Sequence, residues 1–318
     1  MKHVALDLNF GRRMLQEHAV WFVLLLLLAV AALVSSAFLR PSYLLNTLRQ
    51  AAPVGITAIG VTLVMILRGV DLSVGAVISL AAVLCAVLMD GQAHNIAPAI
   101  ALTCIAGAAI GLANGLLVAF NRISPFILTL GTAIIVYGLT QIQSGGTARG
   151  IVAPGFREFL NGRIGGVLPV LSLALILMAL LGIFLQSATR FGRSLYLIGS
   201  NPDAAELSGV PIRRVMVLAY TLSGFCAALG GIALLARTGV SSTYAGRGYE
   251  FDVLAAVVLG GTTFAGGRGG VGGTIAAVLV LFIAFNLVSL AGLQFPAQLL
   301  VKGAIIIVAS AAYEAIKR

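Results

Sequence analysis

What most constrains this chain is a succession of apolar runs, several close to the ~20 residues that a helix needs to cross a bilayer. They fall at 20–38, 52–67, 74–89, 96–120, 125–141, 165–186, 214–236, 251–264, 271–290 and 296–313. The expected fold is therefore all-α: a polytopic membrane protein of about ten transmembrane helices, forming one domain over residues 1–318. Composition agrees. Charged residues make up 9% of the chain, against about 25% in an ordinary soluble domain, which is too few to cover a water-exposed surface. No polar stretch approaches the ~50 residues of a minimal soluble domain. The eighth run is short and bounded by glycine, which fits a re-entrant or broken helix; such a segment survives at membrane depth only inside protein or around a water-filled cavity.

A net charge of +10 would suggest nucleic acid in a soluble protein. Here no basic run carries interleaved aromatics, so nucleic-acid binding is not expected, and the arginines are read as topology signals facing anionic headgroups. With the N-terminus inside, the inner side holds Lys2, Arg12, Arg13, Arg68, Arg122, Arg190, Arg193, Arg213, Arg214, Arg268, Lys317 and Arg318, twelve in all. The outer side holds seven: Arg40, Arg49, Arg149, Arg157, Arg163, Arg237 and Arg247. The excess predicts cytoplasmic termini, with a cytoplasmic tail at 1–19, an outer loop at 143–165 and an inner loop at 187–213. The first run exceeds the 7–15 residues of a signal-peptide core and is read as an uncleaved span.

Several chemistries are missing. The lysines are Lys2, Lys302 and Lys317, and none follows a glycine-rich phosphate loop, so no P-loop is present. His3, His18 and His94 lie in the tail or in a loop, leaving no zinc pair and no serine–histidine couple within the spans. Cys85, Cys104 and Cys226 fall inside apolar runs and read as small hydrophobes. All ten acids lie at span ends or in loops, so no carboxylate offers the midplane relay of an ion-coupled carrier. The energy for any transport enters from elsewhere. The chain is not expected to be an enzyme or to bind a metal or cofactor.

The inner loop carries the most specific pattern: Asn201, Pro202, Asp203, Ala204, Ala205, Glu206, Leu207, Ser208, Gly209. Asn201 is a good N-cap, proline suits the first turn, and Asp203 and Glu206 sit where the helix dipole favours anions. Gly209 fits a C-cap and Pro211 stops the helix. A short capped helix between two spans is either a plain connector or a surface on which something docks. On the fourth run, Gly107, Gly111 and Gly115 make two overlapping small-xxx-small patterns, the signature of closely packed helices.

This loop, with Arg213 and the glycine-rich end of the following run, resembles the ribose-type permease family of ABC importers. So do Gly69-Val70-Asp71-Leu72-Ser73-Val74-Gly75 and the block from Glu250-Phe251-Asp252 through Gly260-Gly261 to Gly266-Gly267-Arg268-Gly269. The resemblance covers about 41–309. It implies a bacterial inner-membrane subunit that pairs with a second copy or a related permease. It also implies that ATP and magnesium act on a separate ATPase subunit, and that a periplasmic binding protein delivers a monosaccharide. Residues Asn201 to Glu206, Ser208, Gly209 and Arg213 would couple to the ATPase. The candidates for the translocation path are Asp71, Ser73, Asn114, Asn286, Gln298 and Lys302. Asp71 and Ser73 also read as helix caps, the asparagines as interhelical glue, and Lys302 as a snorkelling side chain. A permease for nucleosides, purines or branched-chain amino acids, and a passive channel or facilitator, are the competing readings.

Overall fold

The structure, a computed structural model, describes residues 19–121, 123–292, 300, 303 and 304; Gln298, Lys302 and most of the expected tail and final span lie outside them. The described chain is helical except for one two-residue antiparallel strand pair and its connections. The helices are α1 (Ala19–Val34), α2 (Pro41–Ile66), α3 (Val74–Met89), α4 (Ile96–Phe120), α5 (Pro125–Ser144) and α6 (Pro154–Asn161). After the strands β1 (Arg163–Ile164) and β2 (Leu168–Pro169) come α7 (Val170–Ala188), α8 (Arg190–Ser200), α9 (Pro202–Leu207), α10 (Ile212–Thr238), α11 (Tyr249–Leu259) and α12 (Val271–Leu290). Six of these are long and apolar enough to span a membrane: α2, α4 with the short turn before it, α5, α7, α10 and α12.

The bundle is organised around α2 and α10. Every α2 residue from Ala51 to Ile66 is buried, as expected of a helix apolar on all sides. On α10 the small residues let α4 approach. A Cβ on Gly107 would meet Ala228 Cβ and the Gly224 carbonyl, one on Gly111 would meet the Tyr220 carbonyl, and one on Gly115 would come within 2.8 Å of Val217 Cα. The glycine pattern is therefore a packing seam, which replaces the hydrophobic drive that lipid cannot supply. Outside this centre, α4, α5 and α7 carry exposed Ile105, Ile134, Ile135, Ile142, Leu177 and Leu180, an apolar belt of the kind that faces acyl chains.

Loops gather at two ends. At one, called the α9 end, the 67–73 loop meets α8, α9 and the 260–270 loop: Gly267 N–H donates to the Ile66 carbonyl at 2.8 Å. At the other, the α6 end, Arg49 reaches Asn161 at 3.2 Å and Gly91 N–H donates to the Ile151 carbonyl at 2.8 Å.

Three expectations change. The second span starts at Pro41 rather than 52 and runs through Pro53. Its polar first turns are stabilised by partners: Thr47 caps back to the Tyr43 carbonyl, and Arg237 donates to the Gln50 carbonyl. The sixth span starts at Val170 because 163–169 form the strand pair. The inner loop holds an extra helix, α8, whose N-cap Thr189 accepts from Gly192 N–H at 3.1 Å. The eighth run, expected to be a re-entrant or broken helix, forms only a short one. Its helix, α11, has 11 residues, about 16 Å against a ~30 Å hydrocarbon core. The non-helical stretch 239–248 before it packs on α3, where Gly246 N–H donates to Ser79 Oγ at 2.9 Å. Ser79 is buried, so the irregular backbone at Gly246 is satisfied inside protein.

Candidate functional site

Two neighbouring constellations occupy the α9 end. The first is α9 itself. Asn201 is in extended conformation and its Oδ1 accepts from Ala204 N–H at 3.1 Å, with Pro202 at the first helical position. Ser208 is the C-cap, and Gly209 at φ +75° takes the left-handed step that would strain other residues. Ala205 is buried and packs inward near Val210 and Ile212, anchoring the helix. Asp203, Ala204, Glu206 and Ser208 face out. Leu207, which the sequence pattern passed over, is 91% exposed at the tip. It stands between the exposed Glu206 and Ser208 and makes the one large apolar side chain on the outward face of α9. Arg213 is exposed, with its guanidinium 5.1 Å from the centre of the Phe120 ring, a cation–π contact.

The second constellation is a buried polar network at the start of α3. Asp71 and Ser73 are buried. Asp71 Oδ1 accepts from Ser73 N–H at 3.0 Å and Ser73 Oγ at 2.6 Å, and its Oδ2 accepts from Ser223 Oγ of α10 at 2.7 Å. Ser73 Oγ in turn accepts from Asn114 Nδ2 of α4 at 3.0 Å, and Asn114 Oδ1 accepts from Thr132 Oγ1 of α5 at 2.7 Å. Burial pushes the Asp71 pKa up, and the bonds from Ser73 and Ser223 pull it back. All three bonds are donated to the carboxylate, the pattern an ionised acid satisfies. The sequence reading of Asp71 as a cap holds in part: it caps the Ser73 N–H, whereas Ser73 spends its hydroxyl on Asp71 and Asn114 instead of on the helix.

The structure thus joins three of the path candidates, Asp71, Ser73 and Asn114, in one network linking α3, α4, α5 and α10. Asn286 lies apart: its Nδ2 donates to Thr47 Oγ1 at 3.3 Å, which ties α12 to α2 as interhelical glue. Gln298 and Lys302 fall outside the described residues.

The two constellations share the 67–73 loop. Arg68 sits at φ +68°, a conformation costing a non-glycine residue about 1–3 kcal/mol. Its Nε donates to the Gly199 carbonyl at 2.8 Å and its Nη2 to the Ser200 carbonyl at 2.9 Å. These are the last carbonyls of α8, where the helix dipole is negative and a cation is favoured. Only a tertiary contact makes Arg68 distinctive, so sequence inspection gave no signal beyond an arginine at a span end. Among the described residues no group of three or more histidine, cysteine or acidic side chains could hold a metal.

Comparison with known proteins gives a consistent picture. Residues 43–310 match the family model described as branched-chain amino acid transport system / permease component. The chain is 38% identical to the ribose import permease protein RbsC of Bacillus subtilis, over 93% of this chain and 92% of that protein. It is 35% identical to the galactose/methyl galactoside import permease protein MglC of Haemophilus influenzae, over 96% of both. It is also 35% identical to RbsC of Escherichia coli K12, over 94% of both. No solved structure matches it significantly.

Proposed function

The chain belongs to the branched-chain amino acid transport system / permease component family, and from that premise we propose that it is the membrane permease of an ABC importer for a monosaccharide. The carrying observation is α9: a capped helix anchored by Ala205 that presents Leu207, Asp203 and Glu206 away from an apolar bundle. A passive channel has no use for such a projection. A subunit driven by a separate ATPase needs one, because the work of ATP must reach the spans through a contact. The relatives named as ribose and galactose permeases supply the substrate class. We count about ten crossings: the six long helices, the 16-residue α1 and α3, the segment 239–259, and the span expected from the sequence at 296–313, which lies almost wholly outside the described residues.

In this reading α9 lies on the cytoplasmic side and seats in a groove of the ATPase subunit, which binds ATP and magnesium. A second permease copy, or a related permease, completes the pathway, and a periplasmic binding protein delivers sugar at the α6 end. Asp71, Ser73 and Asn114 hold the pathway helices in register. Asp203, Glu206, Ser208 and Arg213 form the polar rim around Leu207.

The test is reconstitution with the partner ATPase and binding protein, followed by uptake of labelled pentoses, hexoses, nucleosides and branched-chain amino acids. Sugar uptake that needs both ATP and the binding protein is the expected result. Sugar flux without ATP would overturn the importer reading, and uptake confined to nucleosides or amino acids would overturn the substrate class.

A further inference from the structure

We propose that Arg68 is a positioning residue that relays movement of α9 into the 67–73 loop, beside the direct chain connection of α9 to α10; this rests on α9 being the docking helix for the ATPase. The α8–α9 unit is tied to the bundle at its joint. The Arg68 fork spans two successive carbonyls, Gly199 and Ser200, immediately before the Asn201 cap of α9. A planar guanidinium holds two acceptors in fixed mutual geometry, which an ammonium cannot do. There is no slack behind this clamp. A Cβ on Gly199 would overlap the Ile66 carbonyl and the Gly267 N–H, so α2, α8 and the 260–270 loop meet backbone to backbone.

The same loop is bonded, residue after residue, to the pathway helices. The Val70 carbonyl accepts from Tyr220 OH of α10 at 3.2 Å, and Leu72 N–H donates to Thr129 Oγ1 of α5 at 3.1 Å. Asp71 then engages Ser223, and Ser73 engages Asn114. A displacement of α9 is thus delivered by Arg68 to a short rigid loop whose other bonds end on α4, α5 and α10. Packed elements of this kind switch between discrete arrangements instead of bending. The backbone of Arg68 is held at φ +68° although the residue is not glycine, which fits a position selected for its side chain.

Arg68→Gly separates this role from a structural one. Glycine accepts the left-handed backbone without strain, so the variant removes the guanidinium and leaves the loop conformation accessible. The purified complex of permease, ATPase and binding protein would be reconstituted, and ATP hydrolysed per sugar imported would be counted. Arg68→Gly is expected to leave ATPase co-purification at the wild-type level and to raise ATP consumed per sugar about tenfold. An unchanged ratio with an intact complex would overturn the inference. Loss of ATPase co-purification would also overturn it, because Arg68 would then support docking and not transmission. Leu207→Glu, in parallel, tests the underlying reading: it should abolish co-purification, and if the ATPase stays bound then α9 is not the docking helix, whatever Arg68 does.

Discussion

The two ends of the bundle both use arginines to hold helices together, but they are built differently. At the α9 end the contacts are backbone to backbone, with glycines at Gly199 and Gly267 removing any spacer, and the Arg68 fork locks the seam. At the α6 end Arg49 and Arg237 reach across to Asn161 and the Gln50 carbonyl around an open cavity of about 630 Å³, lined also by Arg157 and Glu158. The α6 end has close backbone contacts of its own, at Gly91 and Gly150, and what sets it apart is the open cavity that its arginines line. Under the proposed importer reading, a close joint at the α9 end would pass on a push from the ATPase, and the cavity at the α6 end would leave space on the side where sugar arrives.

The comparison can be broken most severely at the driven end. Gly199→Val should cost about 3 kcal/mol or prevent assembly, since its side chain has only the Ile66 carbonyl and the Gly267 N–H to occupy. The apparent melting temperature of the detergent-purified chain reads this. Asp71→Ala comes next. It strands the Ser73 and Ser223 donors in a buried site and should cost about 2–3 kcal/mol, while Asp71→Asn, which keeps an acceptor, should cost less in the same melt. At the α6 end Arg237→Ala should cost only about 1–2 kcal/mol, the worth of two long, partly buried hydrogen bonds, to the Gln50 carbonyl and the Tyr249 hydroxyl. A loss as large as that of Gly199→Val would mean the α6 end is equally rigid. Leu207→Glu should change stability least, by no more than about 0.5 kcal/mol, because the side chain is 91% exposed.

The sequence was most legible where structure depends on near neighbours. Asn201 and Pro202 are found in their expected roles at the start of α9, and Gly209 ends it one residue beyond the C-cap, Ser208, in the left-handed step, all through local interactions. The repeat of Gly107, Gly111 and Gly115 identified a packing seam, though the partner helix was not readable from it. Legibility failed where distant groups decide. The polar turns at the start of α2 looked like a loop until Asn161 and Arg237 supplied partners from far along the chain. Asn114 and Asn286 were indistinguishable as polar residues in apolar runs, yet one belongs to the Asp71 network and the other staples α12 to α2. Leu207 was missed because hydrophobicity alone says nothing of which way a side chain points.

The irregular segment before α11 bears on how the protein is made. A continuous apolar helix can leave the translocon as soon as it is synthesised, since it satisfies its own backbone. The 239–248 stretch cannot, because its Gly246 N–H finds its partner on Ser79 of α3, made more than 160 residues earlier. That partner must already be in place when the ribosome delivers the segment. The contact thus predicts an order of assembly, with α3 placed before 239–248 is laid against it, because a buried Gly246 N–H left without its acceptor is costly.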